Sequence, residues 1–312
     1  MESKSNQVKG AFLTMFGAAC WGISGCTGQY LFTRQGMDAF WLAPIRLTLA
    51  GILLCGYFLV RNPKLLFAPW HGRRNIIDLL IYGIAGVSGC QMLYFTTIQL
   101  AGAGMATILQ NISPVFILMV VCWQAKRMPR GFEIGSILLA LVGLFFLTTH
   151  GSLDGLAVSP EALVTGLCCA LCVVVYTVWP HNLQQQFPTP VLQGWAFLVG
   201  GVLFSLICRP WEVGYVPNAM GWLGIAVVVI IGNVVAFCSF MQGVKMVGAQ
   251  KASLYSFAEP VTAAVISTLV LGSSFSFWDA LGFGCIFLML VLLAKPQPHP
   301  AVSAPKPAKA HT

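Results

Sequence analysis

The sequence of 312 residues contains few charged side chains. Only 8% of its residues are charged and 57% are hydrophobic, whereas about a quarter of the residues of a soluble domain are charged. The mean hydropathy is +0.81. This scarcity of charge excludes an ordinary water-soluble domain and indicates that most of the chain lies in a lipid bilayer.

Acidic residues are rarer than basic ones, nine against seventeen, which gives a net charge of +8. Such an excess is also found in nucleic-acid-binding proteins. Here the basic residues occur in short clusters between long apolar runs, which is the pattern of the positive-inside rule. We therefore expect the lipid bilayer as a partner and no nucleic acid.

The sequence also lacks the motifs of catalytic and metal sites. None of its five histidines belongs to an HExxH motif, and it has no Gly-Lys-Ser phosphate-binding loop. Its eleven cysteines lie inside apolar stretches without the spacing of a zinc site. We therefore expect no enzyme, no metal, no cofactor and no ATP-driven transport by this chain alone.

Long uncharged runs dominate the sequence instead. A membrane-spanning helix needs about 20 apolar residues. The runs that approach or meet this length lie at 11–31, 40–60, 77–97, 104–123, 133–149, 162–180, 190–208, 220–242, 252–271 and 279–294, with "QLAGAG" and "PHNLQQQFPTP" dividing the two longest stretches. The pattern predicts an all-α integral membrane protein with ten transmembrane helices.

The basic residues predict the orientation of these helices. With the N-terminus inside, fourteen lysines and arginines fall on the inner side and two on the outer side. Both termini are therefore expected in the cytoplasm of a multi-pass protein of the inner membrane. Residues 1–10 form the predicted cytoplasmic N-terminus, and the Pro-, Ala- and Lys-rich residues 295–312 form a predicted disordered cytoplasmic tail.

The chain repeats itself after 146 residues. At this shift "YFTTIQLAGAGMATILQNISPV" aligns with "FMQGVKMVGAQKASLYSFAEPV" without a gap. The predicted units are residues 11–149 and 162–294, with five spans each. Because five is odd, the second unit must be inverted, and the four basic residues of loop 61–75 indeed have no basic counterpart in 210–220. Inverted repeats are a hallmark of secondary transporters, whose substrate sites lie between the halves.

Three segments, "AACWGISG", "PIRLTLAG" and "QKASLYSFAEPV", carry a family resemblance. The chain resembles the ten-span drug/metabolite transporters built from two EamA units, and is most similar to their bacterial carboxylate, amino-acid and amine branch. The resemblance covers about residues 11 to 294. It implies secondary active transport of a small metabolite by alternating access, with export of an amino acid or related compound favoured. The alternative is efflux of organic cations or drugs by the same fold.

One departure from the family pattern limits this resemblance. Such units often place a glutamate after a Leu-Gly pair at the end of the fourth and ninth spans. Arg127 and Ser273 occupy those places in this sequence. Any coupling role of that glutamate therefore cannot be transferred to this chain.

Two ionisable residues stand out within the predicted spans, Arg46 and Glu259. Glu259 follows Lys251 and Tyr255 at intervals of four, on one helix face. Burial favours a neutral carboxylic acid unless a cation is close, so Glu259 could take a proton or a substrate ammonium. Alternatively, it is locked to a basic group or to backbone amides freed by Pro260. Proton coupling is accordingly a hypothesis.

Arg46 lies about six residues inside the outer end of its predicted span. It could bind a substrate carboxylate through two parallel hydrogen bonds. It could instead extend outward to the interface, or pair with Asp38 or another carboxylate on the outer side. The sequence leaves these alternatives open.

Further residues are polar or aromatic within spans. Pro114 and Pro260 are predicted to break their helices, and the glycine rows Gly83, Gly86 and Gly89, and Gly131 and Gly135, are predicted to permit close helix contact. Asn111 either satisfies freed backbone or contacts substrate, and the aromatic residues could equally pack helices. The predicted substrate-binding or coupling residues are Glu259, Arg46, Asn111, Tyr255, Tyr94, Gln91, Asn233 and Trp179. A small-molecule substrate is the expected partner, and a homodimer is a further hypothesis.

Overall fold

The computed structural model describes residues 2–150, 158–179, 181–247, 252, 255–272, 274 and 276–293. These residues form helices and short connections, and no β-strand is found among them. The predicted tail 295–312 lies outside the described residues, as do Lys251 and Ser273.

The helices follow one another along the chain with short connections. The α-helices of the described part are α1 (Glu2–Gln35), α2 (Ala39–Arg61), α3 (Pro63–Phe67), α4 (Arg73–Leu80), α5 (Gly89–Gln110), α6 (Ser113–Gln124), α7 (Gly131–Thr149), α8 (Pro160–Val178), α9 (His181–Gln186), α10 (Thr189–Cys208), α11 (Ala219–Val227), α12 (Ala236–Val247), α13 (Ala258–Leu269) and α14 (Phe277–Leu293). Short 3-10 helices lie at Ala68–Trp70 and Pro210–Glu212, and π-helices at Ile81–Ser88 and Val228–Val235.

Several of these helices are long and apolar enough to cross a membrane. Five stretches meet this condition, namely Ala39–Arg61, Arg73–Gln124, Pro160–Val178, Thr189–Cys208 and Ala219–Val244, and shorter apolar helices lie at Gly131–Leu147, Ala258–Leu269 and Phe277–Leu292. The predicted class, an all-α membrane protein, is confirmed. Helices lie at all ten predicted positions, but the number that cross the bilayer stays a prediction.

The longest apolar stretch, Arg73–Gln124, is not one continuous rod. Gly102 interrupts α5 with φ 81° and ψ 164°, a conformation that glycine adopts without a Cβ clash. This interruption falls in "QLAGAG", where the sequence predicts a division between two spans. A turn at residues 111–112 separates α5 from α6, and a similar turn at 256–257 precedes α13.

Both predicted helix-breaking prolines lie in the first turn of a helix. Pro114 follows Ser113 at the start of α6, and Pro260 is the third residue of α13. Proline is tolerated there because the first amides of a helix have no intrahelical acceptor. Each proline therefore marks where a helix starts after a turn.

The two π-helices occupy repeat-related positions. One begins at Ile81 and the other at Val228, a shift of 228 − 81 = 147 residues. Each lies between two α-helical segments of a longer rod. Such local widening is often found at functional sites.

Helices of the two halves pack against each other in a symmetric pattern. The largest contacts join α1 with α12, α5 with α8, α2 with α10, and α7 with α14. Exchanging the two halves converts the first of these contacts into the second and leaves the other two unchanged. The inverted relation of the halves remains a prediction that this symmetry favours.

Glycines permit the closest of these contacts. A Cβ on Gly51 would lie 2.5 Å from the Leu198 backbone nitrogen, where α2 meets α10, and one on Gly86 would lie 2.7 Å from the Tyr176 Cβ. The predicted role of the glycine row in the third span is thus found. The same prediction is wrong for Gly131 and Gly135, because no heavy atom of the described chain lies within 4 Å of their hypothetical Cβ atoms.

A buried carboxylate caps the N-terminus of α7. Glu133 accepts hydrogen bonds from both terminal nitrogens of Arg127, at 2.7 and 2.8 Å, and from the Arg130 amide at 2.6 Å. These bonds raise the pKa of Arg127, which lies outside the predicted spans. In the second half, Asp279 accepts from the Ser276 amide at 2.8 Å. A carboxylate thus caps the corresponding helix in both halves, and it is a glutamate in the first half and an aspartate in the second.

We predict that Gly51→Ala destabilises the protein and that Gly56→Ala, in the same helix, does not. The added methyl group would overlap the α10 backbone at position 51, whereas no neighbour lies within 4 Å at position 56. Overpacking costs about 1–3 kcal/mol, while alanine in an open helical position gains up to about 1 kcal/mol over glycine. Thermal unfolding of the purified variants in detergent measures both effects. Equal midpoints for the two variants would contradict the predicted contact.

Candidate functional site

A buried polar cluster lies along one face of α5. Gln91, Tyr94 and Phe95 are three and four residues apart, so their side chains project from neighbouring positions of the helix. The first contacts Arg46 of α2, and the second contacts Glu259 of α13. The structure thus brings four of the predicted site residues together around one helix.

Arg46 is the largest fully buried side chain among the described residues, with 1% of its surface exposed. Its Nη2 donates to Gln91 Oε1 at 2.5 Å, and its guanidinium lies 3.6 Å from the centre of the Phe95 ring. Within the described residues, Arg46 forms no ion pair and its Nε has no hydrogen-bond partner. A buried cation in this condition is costly unless an anion reaches it.

The structure contradicts the alternatives in which Arg46 extends outward or pairs with a carboxylate of the described chain, and it leaves ligand contact as a prediction. The side chain does not extend outward, because it is buried. It does not pair with Asp38, whose carboxylate instead accepts from the Phe40 amide at 2.7 Å and from Gln99 Nε2 at 3.1 Å. Asp38 therefore serves as the N-cap of α2.

Glu259 contacts the hydroxyl group of Tyr94 at 3.3 Å through Oε1. The same hydroxyl lies 2.6 Å from Thr107 Oγ1, which itself donates to the carbonyl oxygen of Ala103 at 2.9 Å. Tyr94 can therefore donate its hydrogen either to Glu259 Oε1 or to Thr107 Oγ1. Since a phenol has one hydrogen, a proton on Glu259 would turn the 3.3 Å contact into a second full hydrogen bond.

The carboxylate is not held by a basic group of the described chain, since no ion pair involves Glu259 there. The α1 backbone closes the other side of this region. A Cβ on Gly22 would lie 2.7 Å from the Glu259 carbonyl oxygen. The start of α13 is therefore held between α1 and α5.

The remaining predicted residues lie in different surroundings. Asn111 Nδ2 donates to the Thr107 carbonyl oxygen at 2.7 Å, so it satisfies backbone at the end of α5. Asn233 is buried in the second π-helix, and its Nδ2 has no partner within the described residues. Tyr255 is half-buried before α13. Trp179 is 57% exposed and donates to Asp78 at 3.2 Å, away from the cluster.

Sequence reasoning missed Gln29, a buried amide in the middle of α1. Its Oε1 accepts from the Ala103 amide at 2.9 Å and from Ser267 Oγ at 3.1 Å. It therefore joins α1, the interruption of α5 at Gly102, and α13. A glutamine in an otherwise apolar run was the available signal.

Comparison with known proteins identifies the family. The profile of the EamA-like transporter family matches residues 8–149 and again 161–295. The uncharacterized inner membrane transporter YicL of Salmonella typhimurium is 31% identical over 286 residues, which cover 92% of this chain and 95% of that protein. The chain belongs to the EamA-like transporter family, a family of membrane transporters, which confirms the resemblance found in its sequence.

More distant relatives extend the comparison. The uncharacterized inner membrane transporter YedA of Escherichia coli K12 is 26% identical over 91% of this chain and 92% of its own. The aromatic amino acid exporter YddG of Ancylobacter novellus is 24% identical over 74% of this chain and 78% of its own. One solved crystal structure superposes with a TM-score of 0.62 at 19% identity, covering 93% of this chain and 96% of that one, which shows a shared fold.

We predict that Gln29→Leu destabilises the protein. The change leaves the buried Ala103 amide without its acceptor, and an unsatisfied buried group costs about 1–3 kcal/mol. Thr27→Val is the matched control. Among the described residues, the Thr27 hydroxyl donates to the Ile23 carbonyl oxygen of its own helix, and losing this bond should cost under about 0.5 kcal/mol. Thermal unfolding in detergent compares the two. A smaller effect for Gln29→Leu than for the control would show that the amide does not hold the interruption.

Proposed function

We propose that this chain is a secondary active transporter that exports a small metabolite bearing a carboxylate and an amine, an amino acid or a related compound. The observation that carries this proposal is the placement of Arg46 and Glu259. Both contact one face of α5, and within the described residues they form no ion pair with each other. A buried cation and a half-buried carboxyl group that are not paired with each other suit a zwitterionic ligand.

Arg46 is the proposed partner of the substrate carboxylate. Gln91 and Phe95 fix the guanidinium on two sides, while its Nε is without a partner in the described chain. A carboxylate would satisfy this donor and neutralise the buried charge at the same time. Binding would thereby offset the cost of burying the unpaired guanidinium.

Glu259 is the proposed partner of the substrate amine. Tyr94 contacts its carboxyl group and orients it. A substrate ammonium group could bind the Glu259 carboxylate in place of a proton. Phe95 and Phe32 form an edge-to-face pair with ring centres 6.0 Å apart near Arg46. These rings would suit an apolar or aromatic substrate side chain, and the relative YddG is named an aromatic amino acid exporter.

Alternating access is the proposed mechanism. The site draws on α2 and α5 of the first half and α13 of the second, and the symmetric pairing of the halves supports rocking of one against the other. We further propose that the chain catalyses no chemical reaction and that both termini are cytoplasmic, as the distribution of basic residues predicts. A homodimer is the oligomeric state to test.

Efflux of organic cations or drugs is the second candidate function. Glu259 with the aromatic rings of Tyr94 and Phe95 would favour a cationic ligand. The buried charge of Arg46 opposes it, because a like charge near the ligand weakens binding. A substrate without a carboxylate would decide for this alternative.

We predict that metabolites with both charged groups accumulate outside bacteria overproducing the wild-type chain. Arg46→Gln and Glu259→Gln should each lower this export about tenfold or more, since a lost bond to a charged group costs about 1.5–3 kcal/mol. Trp179→Phe, away from the cluster, should export like the wild type. Mass spectrometry of the medium, against an empty vector, gives the measurement.

Three other results of this export measurement would change the assignment. Full export by Glu259→Gln would assign Glu259 a structural role. Accumulation of cations that lack a carboxylate would favour drug efflux. No accumulation with any variant, despite membrane expression, would contradict export.

We predict that a proton gradient drives wild-type transport and that Glu259→Gln uncouples it. A glutamine keeps a hydrogen bond to Tyr94 but cannot release a proton. In membrane vesicles with an imposed pH gradient, the wild type should concentrate substrate, whereas the variant should only exchange it. Transport that ignores the gradient in both proteins would reject proton coupling.

A further inference from the structure

The connection between α6 and α7 carries a groove that the transport site does not use. The groove has a volume of about 600 Å³ and is lined by Cys122, Trp123, Gln124, Lys126, Arg127 and Met128. It combines two very different surfaces. Trp123 and Met128 are apolar and 80% and 86% exposed, while Lys126 and Arg127 are basic.

The backbone holds Lys126 in a fixed position at this groove. Its φ of 49° is left-handed, and its amide donates to the Trp123 carbonyl oxygen at 3.1 Å. The next amide, of Arg127, donates to the Cys122 carbonyl oxygen at 3.0 Å. These bonds end α6, and Lys126 takes the left-handed position after the helix that glycine usually occupies. The Cα of Lys126 therefore lies in a defined turn.

The two basic side chains have different partners. Arg127 is bound by Glu133 through two hydrogen bonds of 2.7 and 2.8 Å. Lys126 is exposed and, within the described ranges, forms no ion pair. The segment 114–132 contains no aspartate or glutamate. The groove therefore presents one uncompensated positive charge beside two exposed apolar side chains.

We propose that this groove binds the headgroup of an anionic phospholipid, with the phosphate at Lys126 and the glycerol and upper acyl chain against Trp123 and Met128. Tryptophan is favoured at the membrane interface, where its ring meets apolar chains and its N–H meets water. A basic residue beside the end of a spanning helix attracts anionic lipid. A free phosphate would use the lysine alone and leave the apolar surface uncovered, so a lipid is the better fit.

Native mass spectrometry of the full-length protein tests this site, with phosphatidylglycerol and phosphatidylethanolamine supplied in equal amounts. We expect the wild type to retain phosphatidylglycerol preferentially. Lys126→Gln should lower that retention about fivefold, the effect of one basic residue near an anionic surface. Trp123→Ala should lower it as well, although it leaves the charge unchanged.

Lys64→Gln is the matched control, because Lys64 is exposed and lies on the same predicted side of the membrane. It should retain phosphatidylglycerol like the wild type. Equal losses in Lys64→Gln and Lys126→Gln would overturn the site, since a general electrostatic effect would then explain both. Unchanged retention in Lys126→Gln and Trp123→Ala would overturn it too. All changed side chains are exposed, so each variant should fold, and thermal unfolding is the measurement that checks this.

Discussion

Close backbone contact at glycines holds the helices of the two halves together. In a bilayer, apolar side chains gain little by leaving lipid for protein, so helices associate through tight packing and polar contacts. A Cβ on Gly17 would lie 2.6 Å from the Ala236 carbonyl oxygen, and one on Gly51 would overlap the α10 backbone. The contact at Gly22 has the most direct consequence, because it holds α1 against the helix turn that carries Glu259.

A second constraint governs the polar residues inside these helices. Lipid offers no hydrogen bonds, so the backbone amides and carbonyls freed where a helix is interrupted must find partners within the protein. Gln29 accepts a hydrogen bond from the Ala103 amide just after the interruption at Gly102, and Asn111 donates one to a carbonyl oxygen near the end of α5. These residues serve the backbone. The charged groups of Arg46 and Glu259 do not, which is why we propose them as the ligand-binding pair.

The scaffold is symmetric while its chemistry is not. The π-helices, the turns before α6 and α13, and the caps at Glu133 and Asp279 recur in both halves. The repeat partner of Glu259 is Ser113, so the carboxylate occurs once. In the proposed mechanism, the symmetric frame favours motion between two related states, and the single Glu259 couples that motion to a ligand or a proton.

The membrane class, the interruption in "QLAGAG" and the choice of Arg46 and Glu259 as candidate residues followed from the sequence alone. Each rests on a local property, because a bilayer penalises charge and glycine marks unusual backbone. Tertiary structure decided the partners. It placed Arg46 against Gln91 rather than an outer carboxylate, directed Asn111 to backbone and left Trp179 at an exposed end. The contacts of Arg46 and Trp179 join residues distant in the chain, and their geometry depends on how closely helices pack, which no local pattern encodes. The Asn111 bond is local, but its choice of backbone over a ligand depends on how the end of α5 turns.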